Sequence, residues 1–256
     1  MELGLGDRVA LVVGGGRGLG RACALALARE GAHVAVMSRT PAELEAVCAE
    51  VRALGRRALA LPLDVTDLGA LDQALARLRT DLGPPTLVVL GAAALYQPRK
   101  LQHVEDDEAA RFLAVDLGSA VALCTRVLGE MLEARFGRIV ALGSVAARTG
   151  VSGGTLYAAG KAALEGLCRG IALDYSRRNI TANVVSISFA DTERLQGRLA
   201  GDPDARARRG RACATRAIPT PGEIADVVAF LCSPRASSIT GAVIDATAGA
   251  HLNNLW

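Results

Sequence analysis

The sequence predicts an α/β fold: one doubly wound domain over residues 1–256, with a seven-stranded parallel sheet and helices on both faces. Three observations predict it. Short apolar runs alternate with helical patterns along the chain, the order that builds βαβ units. Those runs are continuously apolar, as strands buried on both faces require. The chain is 51% hydrophobic but only 3% aromatic, so a large core of Ala, Val, Leu and Ile is available.

The elements follow in order. "RVALVV" (8–13) reads as the first strand and "LGRACALALARE" (19–30) as the first helix. "HVAVMS" (33–38) is the second strand; "PAELEAVCAEVRAL" (41–54) opens with Pro and keeps helical spacing. The third strand is "ALALPLDV" (58–65) and the third helix spans 67–82. "TLVVLGA" (86–92), "RIVALGS" (138–144), "ITANVVSIS" (180–188) and "GAVIDAT" (241–247) complete the sheet. Long helices are predicted over 107–136 and 155–178. No internal repeat or linker is visible. The one break in composition is the polar, Arg-rich stretch 194–216, within a lid-like segment at about 189–216 that reads as mobile.

Composition excludes several classes. A net charge of +3, evenly spread, argues against nucleic-acid binding. None of the six Cys forms a CxxC pair or shows metal-ligand spacing with the three His, so no metal is expected. Cys in apolar helical stretches behaves as a small hydrophobe and fits a reducing, cytoplasmic setting. No signal peptide precedes the first strand, and no apolar run looks long enough to cross a bilayer. The expectation is a soluble cytoplasmic protein.

"VVGGGRGLGRA" joins the first strand to the first helix. Gly14, Gly18 and Gly20 allow a tight turn, close backbone approach to a pyrophosphate and close helix–strand packing, while the helix N-terminus offers N–H groups and a favourable dipole. Farther along, "TLYAAGKAAL" places Tyr157 and Lys161 one turn apart on a single helix face. Alone, that pair is no more than a half-buried Tyr beside a surface Lys.

The ordered set decides otherwise. The G-x-x-x-G-x-G turn, Asp64 in "LDVTD", Ser144 in "IVALGSVA", the Y-x-x-x-K pair, "TPGEIADVVAFLCS" and "SSITGAVIDA" span nearly the whole chain. Together they resemble the short-chain dehydrogenase/reductase family, in its compact, single-domain, Rossmann-type branch. The resemblance implies that Ser144 hydrogen-bonds the substrate oxygen and that Tyr157 is the general acid or base. A free tyrosine titrates near ~10, too high for easy proton exchange at neutral pH, and a neighbouring ammonium favours the phenolate. Lys161 supplies that charge, and by resemblance also binds the nicotinamide ribose.

The resemblance also implies a cofactor set: Gly14, Gly16, Arg17, Gly18, Leu19 and Gly20 in the first turn, Asp64 and Val65 beside the adenine, and Gly91, Ala92 and Ser188 with Tyr157 and Lys161 around the rest. Members that bind NAD carry an acid at the end of the second strand. Here Ser38 and Arg39 stand there, with Arg17 in the glycine turn. Two guanidinium groups suit a 2′-phosphate, so NADP(H) is expected.

Four positions depart from the family. Leu90, Gly91, Ala92 and Ala93 replace Asn-Asn-Ala-Gly after the fourth strand, removing Asn side-chain bonds that tie the central sheet. Asp116 replaces the Asn that completes the catalytic set; it accepts the same hydrogen bonds but donates none while ionised. Ile187 and Ser188 replace a Pro-Gly pair, and Val13 replaces a Thr.

The leading expectation is an NADP(H)-dependent ketoreductase from a biosynthetic pathway, acting on a small carbonyl or alcohol. Alternatives are a conjugated C=C reductase or a non-redox isomerase or cyclase, and a non-catalytic scaffold subunit that would bind NADPH weakly or not at all. Seven Arg in 194–216 suit an anionic substrate such as a thioester, or a solvated loop. Tyr96 and Gln97 are candidate pocket residues. The long helices resemble the family's oligomer contacts, so a homotetramer is expected and a homodimer next. Trp256 is a candidate interface residue.

Overall fold

The computed structural model describes residues 2–94, 97–202 and 204–252. Tyr96 and Trp256 lie outside them. Seven parallel strands form one sheet in the order β3-β2-β1-β4-β5-β6-β7. They are β1 (Val9–Val13), β2 (His33–Ser38), β3 (Ala58–Pro62), β4 (Leu87–Leu90), β5 (Gly137–Leu142), β6 (Ile180–Ser186) and β7 (Val243–Asp245). The order reverses between β1 and β4, the switch point at which such sheets bind ligands beyond their C-terminal edge.

Successive strand residues face opposite sides, so the sheet makes two cores. On one side α1 (Gly18–Arg29), α2 (Pro41–Ala53) and α10 (Pro221–Leu231) pack on Val12, Val36, Val89 and Val140. On the other, α3 (Leu68–Asp81), α5 (Ser119–Glu133) and α7 (Thr155–Tyr175) pack on Leu11, Met37, Val88 and Ile139. Local chemistry fixes the helix starts. Asp67 caps α3 by accepting from Ala70 N at 3.0 Å. Thr220 and Glu223 form a reciprocal capping box at α10, with Pro221 next.

The structure corrects several boundaries. The third strand ends at Pro62 rather than 65, because Asp64 turns the chain by accepting from both Thr66 N and Oγ1, at 3.0 and 2.7 Å. The last strand covers three residues of the seven expected. The helix expected over 107–136 is two helices, α4 (Asp106–Leu113) and α5, joined by a π-helical turn, Ala114–Gly118. Contrary to the sequence expectation, the helical run Asp106–Glu133 is long and apolar enough to cross a membrane by length and composition alone. Its α5 part, however, lays Leu123, Cys124, Val127 and Met131 into the sheet core.

The Arg-rich stretch expected to be mobile carries two helices, α8 (Glu193–Leu199) and α9 (Ala205–Ala212). Arg206 binds Asp191 with both Nη atoms, Arg208 pairs with Asp202, and Arg209 lies 4.6 Å from the Phe189 ring centroid. All six Cys are free and buried, and burial pushes the thiols of Cys124, Cys168 and Cys232 up to about 12.

Candidate active site

The glycine turn is a cradle with no room for side chains. Gly14 has φ +74°, and a Cβ there would lie 2.5 Å from Gly91 O. Its N–H donates to Met37 O at 2.7 Å, which fixes the turn on β2. A Cβ on Gly20 would run into the carbonyl of Gly14. Gly18, at φ +55°, faces Thr192 at the start of α8, which places that helix start against the turn. Arg17 gives α1 no side-chain cap. The first N–H groups of a helix lack intrahelical partners, so this end is free to bind an anion. Leu19 packs inward against the core.

Beside the cradle, Ser38 Oγ is buried with no hydrogen-bond partner. A Cβ on Gly16 would lie 2.9 Å from that oxygen and 3.2 Å from Glu43. An orphaned hydroxyl next to an uncapped helix end and a glycine cradle fits a pyrophosphate-and-ribose cofactor. Sequence reasoning missed Glu43, in the first turn of α2. Its Oε1 stands 3.7 Å from Arg17 Nη1. Arg39 is exposed, and its charge acts on Asp64, as does Arg111 at 3.8 Å. Hydrogen bonds from Thr66 hold the Asp64 carboxyl below the usual carboxylate range.

Ser144 and Lys161 both lie at the C-terminal edge of β5. Ser144 is buried two residues past the strand, and its Oγ accepts from Ala146 N at 3.2 Å. Lys161, one turn below Tyr157 on α7, is buried; its Nζ donates to Leu142 O at 3.3 Å and lies 5.9 Å from the Tyr157 ring centroid. Asp116 projects from the π turn toward the same ammonium, with Oδ1 3.4 Å from Nζ. That oxygen makes no directed hydrogen bond, so the contact is electrostatic. The other oxygen accepts from Ala94 N at 2.7 Å, which pins the chain leaving β4. Gly160 permits this approach, since a Cβ there would lie 3.3 Å from Asp116 Cβ.

Two cavities flank these groups. One brings Val65, Ala92 and Asp116 together with Val13 and Leu90. The other has Tyr157, Leu156 and Phe112 in its wall and Gln97 and the ion-paired Arg99 and Glu108 around them. Ser188 Oγ donates to Thr247 O at 3.3 Å, which ties the β6 end to the C-terminal segment. Arg194 on α8 shares the field of Tyr157; burial, then Arg17 and Arg198, push its guanidinium down. Among the described residues no three His, Cys, Asp or Glu side chains group as a metal site.

Sequence reasoning missed the buried polar ties of the sheet. Arg138 on β5 is 1% exposed and donates to Gly137 O and Asn179 O, both at 2.8 Å, and to Ser233 O at 3.2 Å. Asn183 on β6 donates to Ile239 O at 2.8 Å and accepts from Ala242 N at 3.1 Å. Their one signal was a charge and an amide inside otherwise apolar strands.

A doubly wound sheet with a glycine cradle at its switch point and a Ser–Tyr–Lys cluster beside it defines a dinucleotide-dependent oxidoreductase. Comparison with known proteins sharpens that. Residues 13–251 match the family model described as enoyl-(acyl carrier protein) reductase. The 3-oxoacyl-[acyl-carrier-protein] reductase FabG of Pseudomonas aeruginosa is 35% identical over 98% of this chain and 100% of its own. The short-chain reductase NovJ of Streptomyces niveus is 34% identical over 95% of this chain and 94% of its own. A 3-oxoacyl-(acyl-carrier-protein) reductase from Agrobacterium tumefaciens, solved with NADP bound, superposes with a TM-score of 0.90 at 32% identity, covering 97% of this chain and 96% of that one. The chain belongs to the short-chain dehydrogenase/reductase family.

Proposed function

We propose that this enzyme is a ketoreductase that interconverts a carbonyl and an alcohol, with a 3-oxoacyl thioester as the substrate class that its relatives' chemistry favours. Its cofactor is NADP(H), as in the NADP-bound neighbour. Gly14, Gly16, Gly18, Leu19 and Gly20 would hold the pyrophosphate over the α1 N-terminus. Arg17, Ser38 and Arg39 would meet the 2′-phosphate, Asp64 and Val65 the adenine, and Gly91, Ala92, Ser188 and Lys161 the remainder. When bound, NADPH supplies the hydride.

The chain's own residues do the rest. Ser144 Oγ donates to the carbonyl oxygen and orients it. The Tyr157 hydroxyl gives its proton to that oxygen as it becomes the alcohol. Lys161 keeps a positive charge beside the phenol oxygen left behind, and Asp116 holds Lys161 in place. The observation that supports this reading is Lys161, whose Nζ donates to Leu142 O, two residues before Ser144, and lies 5.9 Å from the Tyr157 ring centroid. Replacing Tyr157 with Phe should cut kcat by roughly 10²–10⁴ while NADPH affinity is kept. Unchanged turnover would refute the assignment.

A conjugated C=C reductase is the second reading, favoured by the description of the matching family model. Deuterated NADPH separates the two: label on a former carbonyl carbon supports the ketoreductase. The single domain over 1–256, its lid at 189–216, a cytoplasmic location and a homotetramer or homodimer complete the proposal. Exposed Leu113, Val121 and Leu173 on the long helices support assembly.

A further inference from the structure

Arg148 plays no part in the site described so far, yet it sits four residues beyond Ser144. Ser144 Oγ accepts from the backbone N–H of Ala146, the first residue of α6 (Ala146–Thr149). The hydroxyl is therefore placed only as well as α6 is. A single turn of helix does not hold itself together in water. What holds it is the far end of the sheet. Val145 N donates to Ile187 O at 3.1 Å. Arg148 Nη2 donates to Ser186 Oγ, a fully buried group on the last residue of β6, at 3.2 Å. The same nitrogen forms an ion pair with Asp245 on the last residue of β7.

The linkage continues. Asp245 Oδ2 lies 3.8 Å from His251 Nε2, and His251 Nδ1 is hydrogen-bonded to Thr247 Oγ1 at 2.6 Å. The Thr247 carbonyl is the one that Ser188 Oγ binds. One chain of polar contacts thus joins the Ser144 loop, the ends of β6 and β7 and the C-terminal turn. Tyr157 and Lys161 are placed separately, by α7.

We infer that Arg148 and Asp245 are positioning residues: their ion pair sets where the Ser144 hydroxyl stands relative to Tyr157. The inference rests on the ketoreductase reading above. A partly exposed ion pair contributes little to stability, so its effect should fall on turnover rather than on folding.

The test uses the full chain with NADPH and the 3-oxobutanoyl thioester of coenzyme A. Arg148→Met and the isosteric Asp245→Asn should each lower kcat about ten-fold or more, since small misplacements of reacting groups are costly. NADPH affinity, read by calorimetry, should stay within about two-fold, and Arg148→Lys should recover part of the loss. Adding Arg148→Met to Ser144→Ala should lower kcat no further than Ser144→Ala alone, because the hydroxyl being positioned is gone. The inference is overturned if the double variant loses the product of the two single effects. It is also overturned if Arg148→Met leaves kcat unchanged while Ser144→Ala abolishes turnover. Normal turnover by Ser144→Ala would instead bring down the underlying reading, and this inference with it.

Discussion

Replacing Gly14 with Ala tests whether the glycine turn is a steric requirement of the fold as well as a cofactor cradle. Two costs apply. The residue sits at φ +74°, where a side chain costs about 1–2 kcal/mol. The new Cβ would lie 2.5 Å from Gly91 O and 2.8 Å from Gly91 C. Those are backbone atoms, and Gly91 N is itself bonded to Val13 O at 3.0 Å. The neighbour is held and cannot swing aside, so overpacking adds about 1–3 kcal/mol. Reduced freedom of the unfolded chain returns about 0.4–1 kcal/mol. The net expectation is a loss of about 1–5 kcal/mol. Gly222 on α10 is the control, because its nearest atom is Thr220 Oγ1 at 3.8 Å and its φ is ordinary; Gly222→Ala should match the parent or gain up to about 1 kcal/mol. Urea unfolding with and without NADPH reads both effects. At a hundred-fold excess over Kd the parent should gain about 2.7 kcal/mol from ligand, and Gly14→Ala much less. If unliganded Gly14→Ala unfolds within about 0.5 kcal/mol of the parent, the argument from close approach is wrong.

Two further outcomes follow from buried and paired charges. Arg138→Ala should destabilise the protein by about 3–5 kcal/mol in urea, since it removes a buried guanidinium from several carbonyls and from the Phe136 ring and leaves a cavity. A loss under about 1 kcal/mol would mean that water replaces those bonds. The segment 189–216 should loosen in acid. Hydrogen bonds from Arg206 and Arg208 hold the carboxyls of Asp191 and Asp202 below the usual range. A lowered folded pKa gives stability that is present above the unfolded value near ~3.9 and is lost as pH falls through the folded one. Proteolytic nicking within 189–216 should therefore rise below about pH 4 before global unfolding. Nicking that is flat across that range would show that these pairs do not hold the segment.

The fold was legible because its signals are local and repeated. Continuous apolar strands, the Gly-rich turn after β1 and Pro41 and Pro221 at helix starts each act over a few residues. The boundaries that failed depend on side-chain turns or remote packing. Nothing apolar marks where β3 stops; the carboxylate of Asp64 does, by folding back on Thr66. The π turn at Ala114–Gly118 was invisible because one extra residue in a helical turn hardly disturbs an apolar pattern. The stretch 194–216 shows the same limit: its seven Arg are compatible in sequence with a solvated loop or an anion site, and only the tertiary structure pairs Arg206 with Asp191 and Arg208 with Asp202.

The departures from the family pattern are where sequence and structure must be read together. Position alone identified Asp116 as a substitute for Asn, and Leu90–Ala93 as a turn without its amide side chains. Whether these were losses depended on contacts far apart in the chain. Asp116 spends one oxygen on Ala94 N and the other on Lys161, so a single carboxylate holds both the altered turn and the ammonium beside Tyr157. The buried charge is tolerable because its partner is buried with it; removing either alone would leave an uncompensated ion in the core. Meanwhile Arg138 and Asn183 supply polar ties on the adjacent strands β5 and β6. At the switch point itself the Leu90–Ala93 turn, which carries no polar side chain, is held through its backbone: Gly91 N donates to Val13 O at 3.0 Å, Ala94 N donates to Asp116, and Gly91 O stands close enough to Gly14 that no Cβ fits there.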